Sequence, residues 1–286
     1  MNHHRVPRHE HEPARSPLEP IRAVGVIGYG YVGRATAHAL SAVADVGWHD
    51  PAQVGSRPLS ALAKWARALF VCVPTPATES GAVELGIVRE VIGQLAALEV
   101  DVPVVVKSTV PPGTTEALAR VWPRLSLVFH PEFLRERHHI EDAAAPARVV
   151  LGWSSAIEAT HRADLRELFV RRFPDVPLFE MSATEAELLK YASNALFGVK
   201  VSFANEMAEL ASQLGVAWEP IRQALVLDPR IGAGHLAVPG PDGQRGYGGS
   251  CLPKDMAGLL VVASRLGVDL EVVSAAVRSN YRRRTP

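Results

Sequence analysis

The stretch that most constrains the fold is IRAVGVIGYGYVGRATAHAL, residues 21–40. An apolar run leads into Gly28, Gly30 and Gly33, and a helix-forming segment follows. This is G-x-G-x-x-G spacing between a predicted strand and a predicted helix. The first glycine allows a tight turn, the second lets a pyrophosphate approach the backbone, and the third lets helix and strand pack closely. The helix start then offers free N–H groups to phosphate. Asp50, in VGWHD, lies at the distance where an acidic side chain binds the adenosine ribose hydroxyls and repels a 2′-phosphate. NAD is therefore the expected dinucleotide, with Arg34 and Arg57 close enough in sequence to keep NADP open.

Further strands are expected in ALFVCVPTP, VPVVVKSTVPPGTT, LSLVFHPEF, ARVVLGW and VPLFEM, with helices such as ELGIVREVIGQLAAL and TTEALARVW between them. Continuous apolar runs, as opposed to alternating ones, suit parallel strands covered on both faces. The reading is an α/β, Rossmann-type doubly wound parallel sheet over residues 21–182. Thr75, Thr109 and Glu132 fall just after strand ends, where open α/β sheets bind ligands.

Residues 183–286 read as a helical domain of dimerisation and substrate binding. SATEAELLKYASNALFGVKVSFANEMAELASQLG runs without proline and is expected to be one long helix, linking domains or lying in a subunit interface. Lys190 and Asn194, four apart, share a face of it; a solvated pair and a partly buried one both fit. GYGGSCLPKD, residues 246–255, sets Cys251 at a helix start with Lys254 and Asp255 beyond it. A helix N-terminus and a nearby ammonium favour a thiolate there, against the plainer alternative of a buried apolar cysteine. Cys72, inside an apolar strand, takes that plainer reading. The arginines of VSAAVRSNYRRRTP read as an exposed terminal tail.

The 286 residues carry 30 basic and 30 acidic side chains, which argues against a general nucleic-acid binder. Two cysteines in different contexts form no disulfide framework, so a reducing cytoplasm is expected, and no apolar run suggests a membrane span. Residues 1–20 hold four histidines and four prolines; a disordered tail fits them better than a metal-binding tract.

Seven ordered blocks together resemble the UDP-glucose/GDP-mannose dehydrogenase family: VIGYGYVG, FVCVPTP, KSTVPPGTT, HPEFLRE, KYASNALFGVKVSFANEMAEL, DPRIG and GYGGSCLPKD. The resemblance implies NAD-dependent, four-electron oxidation of a nucleotide-sugar primary alcohol, UDP-glucose C6 foremost, to a carboxylate without metal. It implies Cys251 as nucleophile, Asp255 handling protons with a water, and Lys190 and Asn194 stabilising the oxyanion. It further implies Glu136 as base for thioester hydrolysis and Thr109 as a hydroxyl holding the water and cofactor. The implied cofactor contacts are Gly28, Tyr29, Gly30, Tyr31, Val32, Gly33, Asp50, Val73, Pro74, Thr75, Thr109, Glu136 and Lys254. Along the substrate it places Glu132, Phe133, Leu134, Lys190, Asn194, His235, Tyr247 and Gly248. Arg230 would reach a neighbouring subunit's sugar in a homodimer.

Two departures from the family pattern stand out. Only one helix, PLSALAKWARA, fits between Asp50 and FVCVPTP, where the family has a further helix and strand. The family's third, UDP-binding domain is not expected within these residues, PGPDGQR lengthens the region before Cys251, and His235 stands where a tyrosine is common. The alternatives are the same chemistry on a smaller sugar or nucleoside, a two-electron dehydrogenase, or a non-catalytic NAD-binding protein acting with a partner.

Overall fold

The computed structural model describes residues 20–284, and the segment read as a disordered tail lies almost wholly outside them. The chain alternates from its start: β1 (Ala23–Ile27), α1 (Tyr31–Leu40), β2 (Asp45–His49), α2 (Leu59–Trp65), β3 (Ala68–Val71), α3 (Gly86–Ala97), β4 (Val104–Val106), α4 (Thr114–Val121) and β5 (Leu127–Phe129). There follow a 3₁₀ turn at Glu136–His138, α5 (His139–Ala144), β6 (Val149–Trp153), α6 (Ala159–Arg172) and β7 (Leu178–Ser182). The remainder is helical: α7 (Ala183–Gln213), α8 (Trp218–Leu225), α9 (Leu252–Arg265) and α10 (Glu271–Arg284).

The seven strands form one sheet in the order β2-β1-β3-β4-β5-β6-β7. Alternate residues of each strand enter separate cores. Leu69, Val71, Val104 and Val106 face α2, α3 and α4, whereas Phe70, Val105 and Val128 face α1 and α6. Covered on both sides, the central strands need apolar residues throughout. β2 is an edge strand, so the single helix between Asp50 and β3 leaves the sheet unbroken, as the sequence suggested. The expectation of a wholly parallel sheet is corrected at one pair: β5 and β6 are antiparallel. The chain after β5 forms two short helical turns and re-enters the sheet without the long crossover helix that a parallel pair requires.

α7 is the long helix expected, begun by a capping box in which the Ser182 side chain accepts from Glu185 N and Glu185 reaches back to Ser182. Its burial does not follow its large aliphatic residues. The covered face is mostly small or polar, with Ala183, Ala186, Glu187, Lys190, Tyr191, Asn194, Gly198 and Ser202 among its residues. Leu196, Phe203 and Leu210 are instead about half exposed, at 59%, 49% and 52%. At Gly198 a Cβ would lie 2.0 Å from Met256 Sδ, so this glycine lets α9 approach closely. The terminal arginines are not a tail: they end α10 and tie it down. Arg283 pairs with Glu209 at 3.0 Å, and Arg284 with Asp242 at 2.7 Å and with Gly246 O at 3.1 Å.

Candidate active site

The glycine turn is shaped as its spacing requires. Gly28 has φ +86°, and a Cβ there would meet Cys72 O at 2.7 Å; one on Gly33 would meet Gly28 O at 2.0 Å. A Cβ on Gly30 would meet nothing within 4 Å, so the turn's outer point is open for a pyrophosphate. No acidic residue occupies the first turn of α1 to oppose an anion. At the end of β2, Asp50 accepts from Tyr29 N at 2.8 Å and from Ala52 N at 3.0 Å, and Tyr29 stacks on Trp48. Arg34 reaches Tyr29 O and Gln53 at this same end, whereas Arg57 lies over Trp65. These residues fit a dinucleotide.

A cleft of about 280 Å³ opens beside the turn. Gly30, Tyr31, Val32, Val73, Pro74, Thr75, Thr109 and Glu132 line it from the sheet side, and Cys251, Lys254 and Asp255 from α9. Cys251 stands at the N-cap of α9, half-buried, not walled off among apolar side chains. Its sulfur lies 3.4 Å from the Tyr31 hydroxyl and 3.5 Å from Ser250 Oγ. The structure thus brings the glycine turn and the cysteine loop, separated by more than two hundred residues, to one cavity.

Behind the cleft runs a chain of buried polar contacts. Lys190 donates to Glu132 Oε1 at 2.8 Å, and the second Glu132 oxygen accepts from Leu134 N. Asn194 donates to Asp255 Oδ2 at 2.6 Å, and Lys254 to Asp255 Oδ1 at 2.6 Å. Lys190 and Asn194, a pair for which the sequence allowed either exposure, are therefore both buried. Lys254 is turned to Asp255. Burial alone would raise the Glu132 carboxyl, but the Lys190 charge and hydrogen bond outweigh it and hold it below its ordinary value. The Tyr31 phenol is pushed up by burial first, then by the charge of Glu132.

The other expected residues are more dispersed. Phe133, Leu134 and His235 line a second cavity of about 410 Å³, which shares Lys107 and Glu132 with the cleft. There His235 stacks on Phe197, with ring centres 4.1 Å apart. Glu136 sits in the exposed 3₁₀ turn, outside the cleft lining, though its charge contributes to raising Tyr31. Tyr247 is buried, its backbone bonded to Asn280, and Gly248 packs on Arg284. Arg230 is exposed and bonds only Asp228 among the described residues.

Two residues of the site escaped the sequence reading. Lys107 lies between the two cavities, and burial pulls its ammonium down to about 8. The signal was available: a lysine directly after VVV has its aliphatic stem in a core strand end. Glu187 is the second. It is wholly buried one turn before Lys190, and burial pushes it up to about 7 against the opposing hydrogen bonds from the start of α4.

The NAD binding domain of the UDP-glucose/GDP-mannose dehydrogenase family matches residues 56–171, and the family's central domain matches residues 184–282. The chain belongs to this family. A UDP-glucose 6-dehydrogenase of Haloferax volcanii is 34% identical over 227 residues, 74% of this chain and 52% of that protein. One from Pseudomonas aeruginosa is 36% identical over 230 residues, 77% and 49% respectively. The chain thus spans about half the length of these curated relatives. The solved UDP-glucose dehydrogenase of Pyrobaculum islandicum superposes with a TM-score of 0.82 at 29% identity, covering 93% of this chain and 70% of that one. The family match begins downstream of the glycine turn, so the turn's place in the family site rests on the fold. Among the described residues, no helix is long and apolar enough to cross a membrane.

Proposed function

We propose that this protein is an NAD-dependent dehydrogenase that oxidises a nucleotide-sugar primary alcohol, UDP-glucose C6, to the carboxylate through a covalent bond to Cys251. The observation that carries this reading is the half-buried sulfur of Cys251 in the cleft that also holds Gly30 and Thr109. Bound at the glycine turn, NAD supplies the hydride acceptor for two successive oxidations.

The side chains have separable tasks. Removing the hydroxyl proton and a hydride from the alcohol leaves an aldehyde, whose oxygen needs a donor as charge develops. Lys190 Nζ and Asn194 Nδ2, held by Glu132 and Asp255, are fixed donors of that kind. The Cys251 thiolate then adds to the aldehyde carbon, forming a C–S bond and a thiohemiacetal. Loss of the second hydride from that carbon and of the hydroxyl proton gives a thioester. Water then cleaves the C–S bond, releasing the carboxylate and restoring the thiol. Asp255, between Lys254 and Asn194, would relay protons at the sulfur, Thr109 would hold the water, and Glu136, from its turn outside the cleft lining, would act as base on it. Net turnover consumes one alcohol, one water and two NAD, and yields one carboxylate, two NADH and three protons.

Asp50 favours NAD over its 2′-phosphate. Phe133, Leu134 and His235 would border the substrate, Tyr247 and Gly248 would shape the loop before Cys251, and Arg230 would serve a second subunit. The half-exposed Leu196, Phe203 and Leu210 on α7 support a homodimer through that helix, and the reduced thiol that the mechanism needs suits the cytoplasm. The test is product stoichiometry with UDP-glucose. Two NADH per acid support the reading, and Cys251→Ala should abolish acid formation; acid made at the wild-type rate by that variant would remove covalent catalysis from the account.

A further inference from the structure

We propose that Glu187 is a positioning residue whose carboxylate holds the loop bearing Thr109 at a set distance from the helix bearing Lys190 and Asn194. The proposal rests on the reading above, in which these three side chains serve one reaction.

The geometry is specific. Glu187 is fully buried on α7, and its two oxygens are used separately: Oε2 accepts from Gly113 N at 2.5 Å and Oε1 from Thr115 N at 2.8 Å. Both donors belong to the start of α4, where the chain turns through Gly113 at φ +90°. The loop between β4 and α4 is pinned at its other end too, since Ser108 Oγ donates to Val73 O at 2.7 Å. Thr109 lies between the two anchors, on the cleft wall. On α7, Lys190 and Asn194 follow Glu187 by three and seven residues and stay on its face. One carboxylate therefore ties the loop that bears Thr109 to the helix that bears Lys190 and Asn194.

The chemistry of that tie is unnecessary for packing. Among the described residues Glu187 has no ion-pair partner, and a carboxylate buried without a cation is costly. Any helix start can be satisfied by water or by a small capping side chain. A long acidic arm that spends both oxygens on one loop instead sets a distance, and reacting groups displaced by an ångström lose much of their advantage.

Glu187→Gln tests this, because it keeps the volume and loses one of the two acceptors. In the crystal structure of that variant, the Thr109 hydroxyl should move by about 1 Å relative to Lys190 Nζ, and kcat should fall about 100-fold. The KM for NAD, set mainly at the glycine turn with Thr109 as one contact among several, should change far less than kcat. An unmoved Thr109 overturns the proposal whether or not the protein turns over. So does a kcat close to that of an active wild type. A wild type that makes no NADH from any nucleotide sugar overturns the function proposed above, and the crystallographic comparison still decides this one. Should Glu187→Gln not fold, Glu187→Asp takes the same measurements. It keeps the charge but shortens the arm, so the loop should shift towards α7 with the same loss of kcat and a much smaller change in KM; a loop and kcat left as in wild type overturn the proposal.

Discussion

The two walls of the cleft are built on opposite plans. The sheet-side wall recognises through backbone: Gly28, Gly30 and Gly33 shape a surface, and large apolar cores on both faces of the sheet hold it in place. The helix-side wall works through side chains. Asp255 is buried in it, Lys190, Asn194 and Glu187 are buried behind it, and the apolar clusters around α7 to α10 are small. A wall of backbone amides needs shape and little else. Buried ionisable groups carry a desolvation cost that a partner charge or hydrogen bonds must offset. Damage to the first should therefore show as lost folding or lost cofactor affinity, and damage to the second as lost chemistry with altered electrostatics.

The largest effect beyond the cysteine itself is expected at the Lys190–Glu132 pair, both side chains being only 5% exposed. Lys190→Met takes the paired ammonium from buried Glu132 and leaves it the Lys107 charge and the Leu134 N–H, which costs about 3 kcal/mol in chemical denaturation. Turnover should fall at least about 100-fold through loss of the oxyanion donor. The double variant Lys190→Met/Glu132→Leu removes both charges and should recover much of the stability but none of the activity. Recovery of both would show that the helix-side wall is structural only.

Two glycines sharpen the contrast on the other wall. Gly33→Ala drives a Cβ to 2.0 Å from a backbone oxygen, so about 1–3 kcal/mol of stability should be lost as strand and helix are forced apart. Gly30→Ala meets nothing. Its melting temperature should match wild type, while NAD affinity measured by titration falls about tenfold, because the methyl group occupies the pyrophosphate's approach. Unchanged affinity in Gly30→Ala would mean that the dinucleotide does not lie across the turn.

Glu187 provides a test that depends on pH. Its folded value, about 7, exceeds the ordinary 4.5 because of burial, with the N–H groups of Gly113 and Thr115 and the Tyr191 hydroxyl as its neighbours. Between these values the unfolded chain has released the proton and the folded chain has kept it, so this group lowers stability as pH rises, up to about 7. Glu187→Gln has no such slope. Its stability relative to wild type should therefore increase by on the order of 2 kcal/mol between pH 5 and pH 8, read by urea denaturation. A constant difference would place the carboxylate's titration elsewhere.

The first wall was far more legible in the sequence than the second. Glycine spacing reports backbone shape directly, and continuous apolar runs report strands covered twice, so the sheet and the turn could be read from residues 21–182. The antiparallel β5–β6 pair could not, because strand direction depends on a connection whose short helices carry no periodic signal. On α7 the exposure of the Lys190–Asn194 pair stayed open in the sequence: Leu188, Leu196 and Phe203 are exposed, and the covered stripe holds alanines, Gly198, Tyr191 and polar residues. Polar burial is invisible until the partners are known. Lys190 needs Glu132 and Asn194 needs Asp255, each some sixty residues away in the chain. The arginines of α10 were misread for the same reason, since Asp242 and Gly246 lie in a loop whose path the sequence does not reveal.

The smallest effect on the isolated chain is expected at Arg230, and it is the most informative about assembly. Its guanidinium bonds Asp228 within a tight turn and is otherwise solvated, its side chain 87% exposed. Exposed pairs of this sort contribute little to stability, so Arg230→Ala should melt as wild type does. If the arginine reaches the sugar of a second subunit, the variant should still dimerise in sedimentation yet show a raised KM for the nucleotide sugar and an unchanged KM for NAD. Mixing it with Cys251→Ala then separates the possibilities. A dimer of the two variants has one site with an intact cysteine, and that site's neighbour supplies an intact Arg230. Activity regained on mixing would show that a complete helix-side wall takes residues from two chains, whereas the sheet-side wall takes them from one.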